Sequence, residues 1–302
     1  MTTIAEAPPA ATRAHYGRSV KRVLWITLGL NLGVALAKLA VGLAVSSLTL
    51  IGDGAHSAID GINNIVGLVA VSVAARDADA EHPYGHRKFE TLAAFVLAGF
   101  LFLTCAQIAV EAIKRLVGLQ QAHPHATPLA FAVVVSTLVV NMGVTRYEAR
   151  RGRELKSDFL IADAAHTRSD VLVTVTVLVS LLLVRWGWPR VDSALSLVVA
   201  ALIGRIGYQV FKRTVPVLVD ASAVDAKQLQ EIVRSVPGVV EAHAVRSRRA
   251  GDLVFIDMHL LVEPTDTESA HALTEAVETA LQQALGPTSA TIHVETSRDC
   301  GL

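Results

Sequence analysis

Two stretches of this chain repeat one spacing of ionisable residues within otherwise apolar surroundings. Asp53, His56 and Asp60 read D-x2-H-x3-D, and Asp163, His166 and Asp170 read the same. On a helix, positions i, i+3 and i+7 share a face, so each stretch projects a carboxylate–imidazole–carboxylate stripe in one direction. Pairing His56 and Asp60 with His166 and Asp170 gives two imidazoles and two carboxylates. Four nitrogen and oxygen donors suit the tetrahedral geometry that Zn²⁺ favours, and the lack of thiolate or thioether argues against Cu(I). One buried acid can serve as polar glue between helices. Two matching stripes of ionisable groups, costly to place in a bilayer, point to an ion instead.

Two further groups have ligand chemistry. Asp79, His82 and His86 follow one another in Asp79-Ala-Glu-His-Pro-Tyr-Gly-His86, where one acid and two imidazoles could hold a metal with water as the fourth ligand. Near the C-terminus stand His243, His259, His271, His293 and Glu295. His293 and Glu295 are two apart on a predicted strand and so share a face. Of eleven histidines, only His15, His123 and His125 fall outside these three zones. His123-Pro-His125 reads as a solvated turn. Cys105 and Cys300 are too few for a disulfide framework and read as inert thiols.

The elements that must position these groups follow from hydropathy. The chain has 302 residues, 52% hydrophobic and 18% charged, against roughly 25% charged in soluble domains. Its formal net charge of zero gives no reason to expect a nucleic-acid partner. Residues 1–21 carry prolines and charges but no apolar core, so they read as a tail and not as a cleavable signal. A spanning helix needs about 20 mostly apolar residues. Six candidates follow, near 22–44, 47–75, 89–116, 127–147, 158–184 and 191–212, giving a six-helix transmembrane domain over 22–212. With the N-terminus in the cytoplasm, twelve basic residues flank the inner ends and four (Lys114, Arg115, Arg185, Arg190) the outer ends. That asymmetry predicts both termini inside. From 213 onward the chain reads as a cytoplasmic metal-binding domain. A helix at 225–236 ends at Pro237-Gly238, strands at 239–248 and 252–262 flank a turn at Ala250-Gly251, and a helix at 266–285 precedes a strand at 290–295. The order αββαβ suggests a small α+β, ferredoxin-like sandwich.

At these residues the chain resembles the cation diffusion facilitator family of metal transporters, from about Lys21 to Glu295. The matching motifs are Ser47-Leu-Thr-Leu-Ile-Gly-Asp-Gly-Ala-His-Ser-Ala-Ile-Asp60, His82-Pro-Tyr-Gly-His86-Arg-Lys-Phe-Glu90 and Ala165-His-Thr-Arg-Ser-Asp170. Val240-Glu-Ala-His243 and Ile292-His-Val-Glu295 also match. The resemblance implies a homodimer, each protomer with six helices and a ferredoxin-like tail. It implies a transport site at His56, Asp60, His166 and Asp170, a loop site at Asp79, His82 and His86, and tail sites using His243, His259, His271, His293 and Glu295. Family members commonly carry Asp where this chain has Glu295. The His/Asp plus His/Asp set looks like the zinc-preferring branch.

The mechanism expected is proton-coupled efflux of a divalent metal, Zn²⁺ above all, from the cytoplasm. An imidazole titrates near pH 6.5, so a bound cation displaces protons and incoming protons displace the cation. Helix direction places Asp163 on the inner side of the site and Asp53 on the outer side, each a candidate proton relay. Minimal loops suggest a prokaryotic plasma membrane. Other expectations carried forward are selectivity for Fe²⁺, Cd²⁺, Co²⁺ or Ni²⁺, or metal sensing without transport. A passive channel would need weaker, multiple sites. No H-E-x-x-H, G-x-S-x-G or phosphate loop suggests an enzyme.

Overall fold

The computed structural model of the chain describes residues 10–44, 48–117, 128–185, 189–263 and 266–296. The His123–His125 turn and Cys300 lie outside the described residues. Two compact units emerge, one spanning Tyr16–Thr214 and the other built mainly from Val215 onward.

Among the described residues, six long helices run in succession: α1 (Ala10–Ala44), α2 (Leu48–Ala74), α3 (Lys88–Leu116), α4 (Pro128–Leu155), α5 (Asp158–Arg185) and α6 (Pro189–Leu218). Among the described residues, three stretches, Tyr16–Ala44, Lys88–Leu116 and Ser193–Leu218, are long and apolar enough to cross a membrane. Among the described residues, Asp60–Ala74 of α2 forms a shorter apolar helix. The helices also outrun the predicted apolar stretches. α1 starts twelve residues before position 22, α4 continues to Leu155, and α6 reaches Leu218 with Pro216 inside its last turn. Hydropathy marks the hydrocarbon layer, and a helix does not have to stop where that layer does.

Leu24, Leu101, Phe159, Leu160 and Ile203 are fully buried at the centre of this unit. The outer face is the reverse of a soluble protein's: Trp25, Leu43, Leu103 and Val139 are each 59–68% exposed, as helices facing lipid require. Two glycines set the close approach of α5. A Cβ at Gly67 would lie 2.1 Å from Phe159 Cε1, and one at Gly152 2.9 Å from Ile161 Cγ1. Small residues let helices pack backbone to backbone where lipid offers no hydrophobic drive.

The C-terminal unit contains α7 (Ala226–Arg234), β1 (Val239–Ala250), β2 (Leu253–Val262), α8 (Thr267–Leu285) and β3 (Thr288–Thr296). Asp225 caps α7 by accepting from Lys227 N at 2.8 Å, and Asp266 caps α8 by accepting from Ser269 N at 2.8 Å. The Ser269 backbone donor, and then the Ser269 hydroxyl, hold the Asp266 carboxyl below the usual range. Gly251 (φ 64°) turns β1 into β2, and Gly286 (φ 87°) ends α8. The sheet order is β1-β2-β3, antiparallel between β1 and β2 and parallel between β2 and β3, with α8 as the crossover. Alternation sends Ile256, Met258, Leu260 and Ala290 to one face, where Leu229, Val233, Val277 and Leu281 of the helices cover them. Burying each large side chain contributes about 1.5–3 kcal/mol. Among the described residues no helix of this unit covers the opposite face.

Candidate metal centres

α2 and α5 bring Asp60, His166 and Asp170 to one point, with one ligand atom of each within 4.8 Å of the others. His166 Nε2 lies 3.4 Å from Asp60 Oδ1 and 3.9 Å from Asp170 Oδ2. The imidazole is buried, and its Nδ1 has no hydrogen-bond partner among the described residues. Asp53 and His56 share α2 with Asp60, but their side chains lie outside the described residues. Two carboxylates and an imidazole, shielded from bulk water, form a nitrogen and oxygen donor set suited to a divalent transition metal.

A buried polar layer adjoins this cluster, and most of it was not anticipated from sequence. Asn63 Nδ2 lies 3.3 Å from His166 Nε2, one turn along α2 from Asp60. Asn64 donates to Asp163 Oδ2 at 2.9 Å and accepts from Asn31 at 2.8 Å, tying α2 to α5 and α1. Asp163 therefore stands outside the three-residue cluster, hydrogen-bonded across to α2. Glu148 of α4 is wholly buried and faces Asp163, Thr27 and Thr167. The available signal was the Asn63-Asn64 pair in an apolar helix; Glu148 lay just beyond the predicted end of helix four. A second missed group sits where α1, α3 and α5 meet. The buried Glu90 carboxylate accepts from Tyr16 Oη at 2.7 Å, from Ser157 Oγ, and from Phe159 N at 3.4 Å.

In the loop between α2 and α3, Asp79 Oδ1 accepts from the backbone N–H of His82 at 2.7 Å and of Glu81 at 3.1 Å. The His82 backbone donor, and then the neighbouring histidines, hold the Asp79 carboxyl below the usual carboxylate range. His86 Nδ1 lies 3.0 Å from the Asp77 carbonyl, while its Nε2 is 3.3 Å from Asp79 Oδ2. A carbonyl at Nδ1 fixes that nitrogen as the protonated one and leaves Nε2 as the ligand atom. The His82 and His86 rings are 4.4 Å apart, and His86 stacks on Phe89. Asp79, His82 and His86 thus form a second convergent set.

On the C-terminal sheet, His243 pairs with His259 and His259 with His293 in register, so three imidazoles cross the strands in a row. The row faces away from α7 and α8. Glu295, two residues beyond His293, reaches His259 Nδ1 at 2.7 Å, His243 Nε2 at 3.3 Å and His293 Nε2 at 3.8 Å. His243, His259 and Glu295 have ligand atoms within 4.8 Å of one another. A bulge follows His243, with Ala244 at φ 50°. A bulge re-aims the neighbouring side chain. His271 stands apart on α8, 3.3 Å from Glu275.

Comparison with known proteins decides what such a chain is. Residues 24–219 match the cation efflux transmembrane domain, and residues 221–297 match the cation efflux protein cytoplasmic domain. The chain is a member of the cation diffusion facilitator family. It is 30% identical over 283 residues to the uncharacterized transporter MJ0449 of Methanocaldococcus jannaschii, covering 92% of this chain and 99% of that one. It is 32% identical over 281 residues to metal tolerance protein C1 of Arabidopsis thaliana, covering 86% of this chain and 59% of that protein. Over 212 residues it is 32% identical to the cadmium, cobalt and zinc/H⁺–K⁺ antiporter of Bacillus velezensis, covering 69% and 66%. This facilitator is accordingly an integral membrane efflux transporter for divalent metal cations, not an enzyme, and its C-terminal unit is cytoplasmic.

Proposed function

We propose that this facilitator exports Zn²⁺ from the cytoplasm in exchange for protons, by alternating access at a site made of His56, Asp60, His166 and Asp170. The observation that carries the reading is the convergence of Asp60, His166 and Asp170 from two helices in a buried setting. The donors are imidazole and carboxylate without sulfur, the set that suits zinc. A proton and the metal compete for the same imidazole nitrogens, which couples the two fluxes. The Bacillus velezensis relative, an antiporter of cadmium, cobalt and zinc with protons and potassium, supports both the exchange and a breadth of divalent cargo.

Around that core we place six spans with both termini in the cytoplasm, in a prokaryotic plasma membrane. The working unit is a homodimer, with the domain boundary near 213. Asp163, joined to Asn64 and facing Glu148, is an inner-side proton relay, and Asp53 an outer-side one. Asp79, His82 and His86 bind metal at the cytoplasmic surface. His243, His259, His293 and Glu295 bind metal in the tail and report its concentration, and His271, apart from them on α8 beside Glu275, is a separate further ligand. Selectivity for Fe²⁺, Cd²⁺, Co²⁺ or Ni²⁺ is the competing reading, since geometry as well as donor type sets preference.

Purified protein in liposomes tests this directly. Zn²⁺ should move uphill when a pH gradient is imposed and should stop when the gradient is collapsed. Flux that ignores the pH gradient would remove proton exchange. Preferential movement of Cd²⁺ or Co²⁺ over Zn²⁺ would reassign the cargo.

A further inference from the structure

A cavity of about 1000 Å³ opens between α4, α5 and α6. Among the described residues its lining combines five arginines, Arg146, Arg150, Arg153, Arg168 and Arg213, with no acidic residue. The rest of the wall is mostly apolar, with Met142, Val171, Val175, Ile206 and Val210 prominent.

The arginines form ordered stripes. Arg146, Arg150 and Arg153 stand at i, i+4 and i+7 on α4, one above another on one face. Like charges at that spacing repel, so the sequence keeps an arrangement that does not favour the helix by itself. Arg213 is tied to Asp158 at 2.9 Å and Arg150 to Glu154 at 2.8 Å. Arg153 and Arg168 are exposed and pair with no carboxylate among the described residues. Arg168 lies ten residues into α5, about 15 Å from its first turn. A guanidinium at that depth beside lipid calls for an anion.

The side of the membrane is set by the chain. α6 leads directly into the cytoplasmic domain. The Arg213–Asp158 pair joins the C-terminal part of α6 to the first turn of α5, and α5 follows α4 after only Lys156 and Ser157. The arginines therefore occupy the cytoplasmic half, within about 15 Å of these helix ends by helical rise. Met142, Val175 and Ile206 lie further from the same ends. A charged rim above an apolar wall matches a phosphate headgroup above an acyl chain.

We propose that this groove is a binding site for an anionic phospholipid of the cytoplasmic leaflet, its phosphate held by Arg153 and Arg168 and its chain laid between α5 and α6. Basic pockets between membrane helices on this side select anionic headgroups, and the paired donors of a guanidinium suit phosphate.

Native mass spectrometry of the full-length protein tests it. Protein in detergent is offered dioleoyl-phosphatidylglycerol or dioleoyl-phosphatidylcholine, and retained lipid is counted. Phosphatidylglycerol should be retained preferentially, and Arg153→Gln with Arg168→Gln should weaken retention by about fivefold for each arginine removed. Equal retention of the two lipids, or undiminished phosphatidylglycerol in the variant, would overturn the site. Inorganic phosphate at millimolar concentration should leave the lipid bound; displacement would assign the arginines to a free anion instead. A variant that keeps its lipid but loses its dimer would make the groove a contact between copies. Should that variant fail to fold, Arg153→Gln and Arg168→Gln are made singly, and each should weaken retention about fivefold.

Discussion

The intramembrane cluster and the tail row use the same donors in opposite surroundings. Asp60, His166 and Asp170 come from two packed helices, and their side chains are 9–18% exposed. His243 and His259 lie in cross-strand register on an open sheet face and are 42% and 41% exposed. On the proposed reading, an ion in the first site would give up bulk water and be released only when helices move. An ion on the second would exchange with solvent without disturbing the core beneath. Donor chemistry alone does not distinguish carriage from sensing; burial and the type of element that holds the donors do.

The largest test of that contrast is removal of a donor on each side. Asp60→Asn or His166→Ala should lower Zn²⁺ transport in liposomes by at least on the order of 100-fold, beyond what loss of a merely supporting group costs. His259→Ala should weaken metal binding by the tail roughly 10- to 100-fold, read by calorimetry on the full chain, yet leave transport at saturating metal nearly unchanged. Equal collapse of transport in both variants would erase the distinction.

Much of the buried site could be read from sequence because the helical period puts residues at i, i+3 and i+7 on one face wherever the helix goes. Its surroundings could not. Asn64, Asp163 and Glu148 come from three helices, and their meeting depends on how those helices pack. In the tail the strands were legible from alternation, but the His243–His259–His293 row depends on register and on the bulge at Ala244. His271 shows the limit of residue type as a guide: it is a histidine near the others in sequence, yet it sits on α8 beside Glu275. Helix ends were misjudged wherever a helix continued beyond its apolar part, at α1, α4 and α6.

Asn63 sharpens the comparison from the buried side. Its amide approaches the same His166 nitrogen that faces both acids, so an N–H donated there would compete with a metal for that nitrogen's lone pair in the proposed site. Asn63→Leu removes that competing donor and should raise apparent Zn²⁺ affinity by up to about tenfold while sparing the maximal rate, measured as transport against metal concentration. A change in maximal rate alone would assign Asn63 to helix movement instead.

The smallest effect concerns the loop. Because Asp79 is held below the usual range, its carboxylate is fully charged at pH 7 and its contribution is lost only as pH falls through that lowered value, beneath about 3.9. Any loss of metal from the proposed loop site between pH 7 and 6 then does not come from Asp79. Asp79→Asn should weaken loop binding by the same factor at both pH values. A factor that shrinks toward pH 6 would mean that Asp79 titrates there.

Anomalous diffraction at the zinc edge, from crystals of the full chain equilibrated with Zn²⁺, tests the buried site most directly. A peak is expected within about 2.0–2.2 Å of donor atoms of Asp60, His166 and Asp170. Filled loop and tail sites with no density between α2 and α5, in crystals of both metal-loaded and proton-loaded protein, would contradict it.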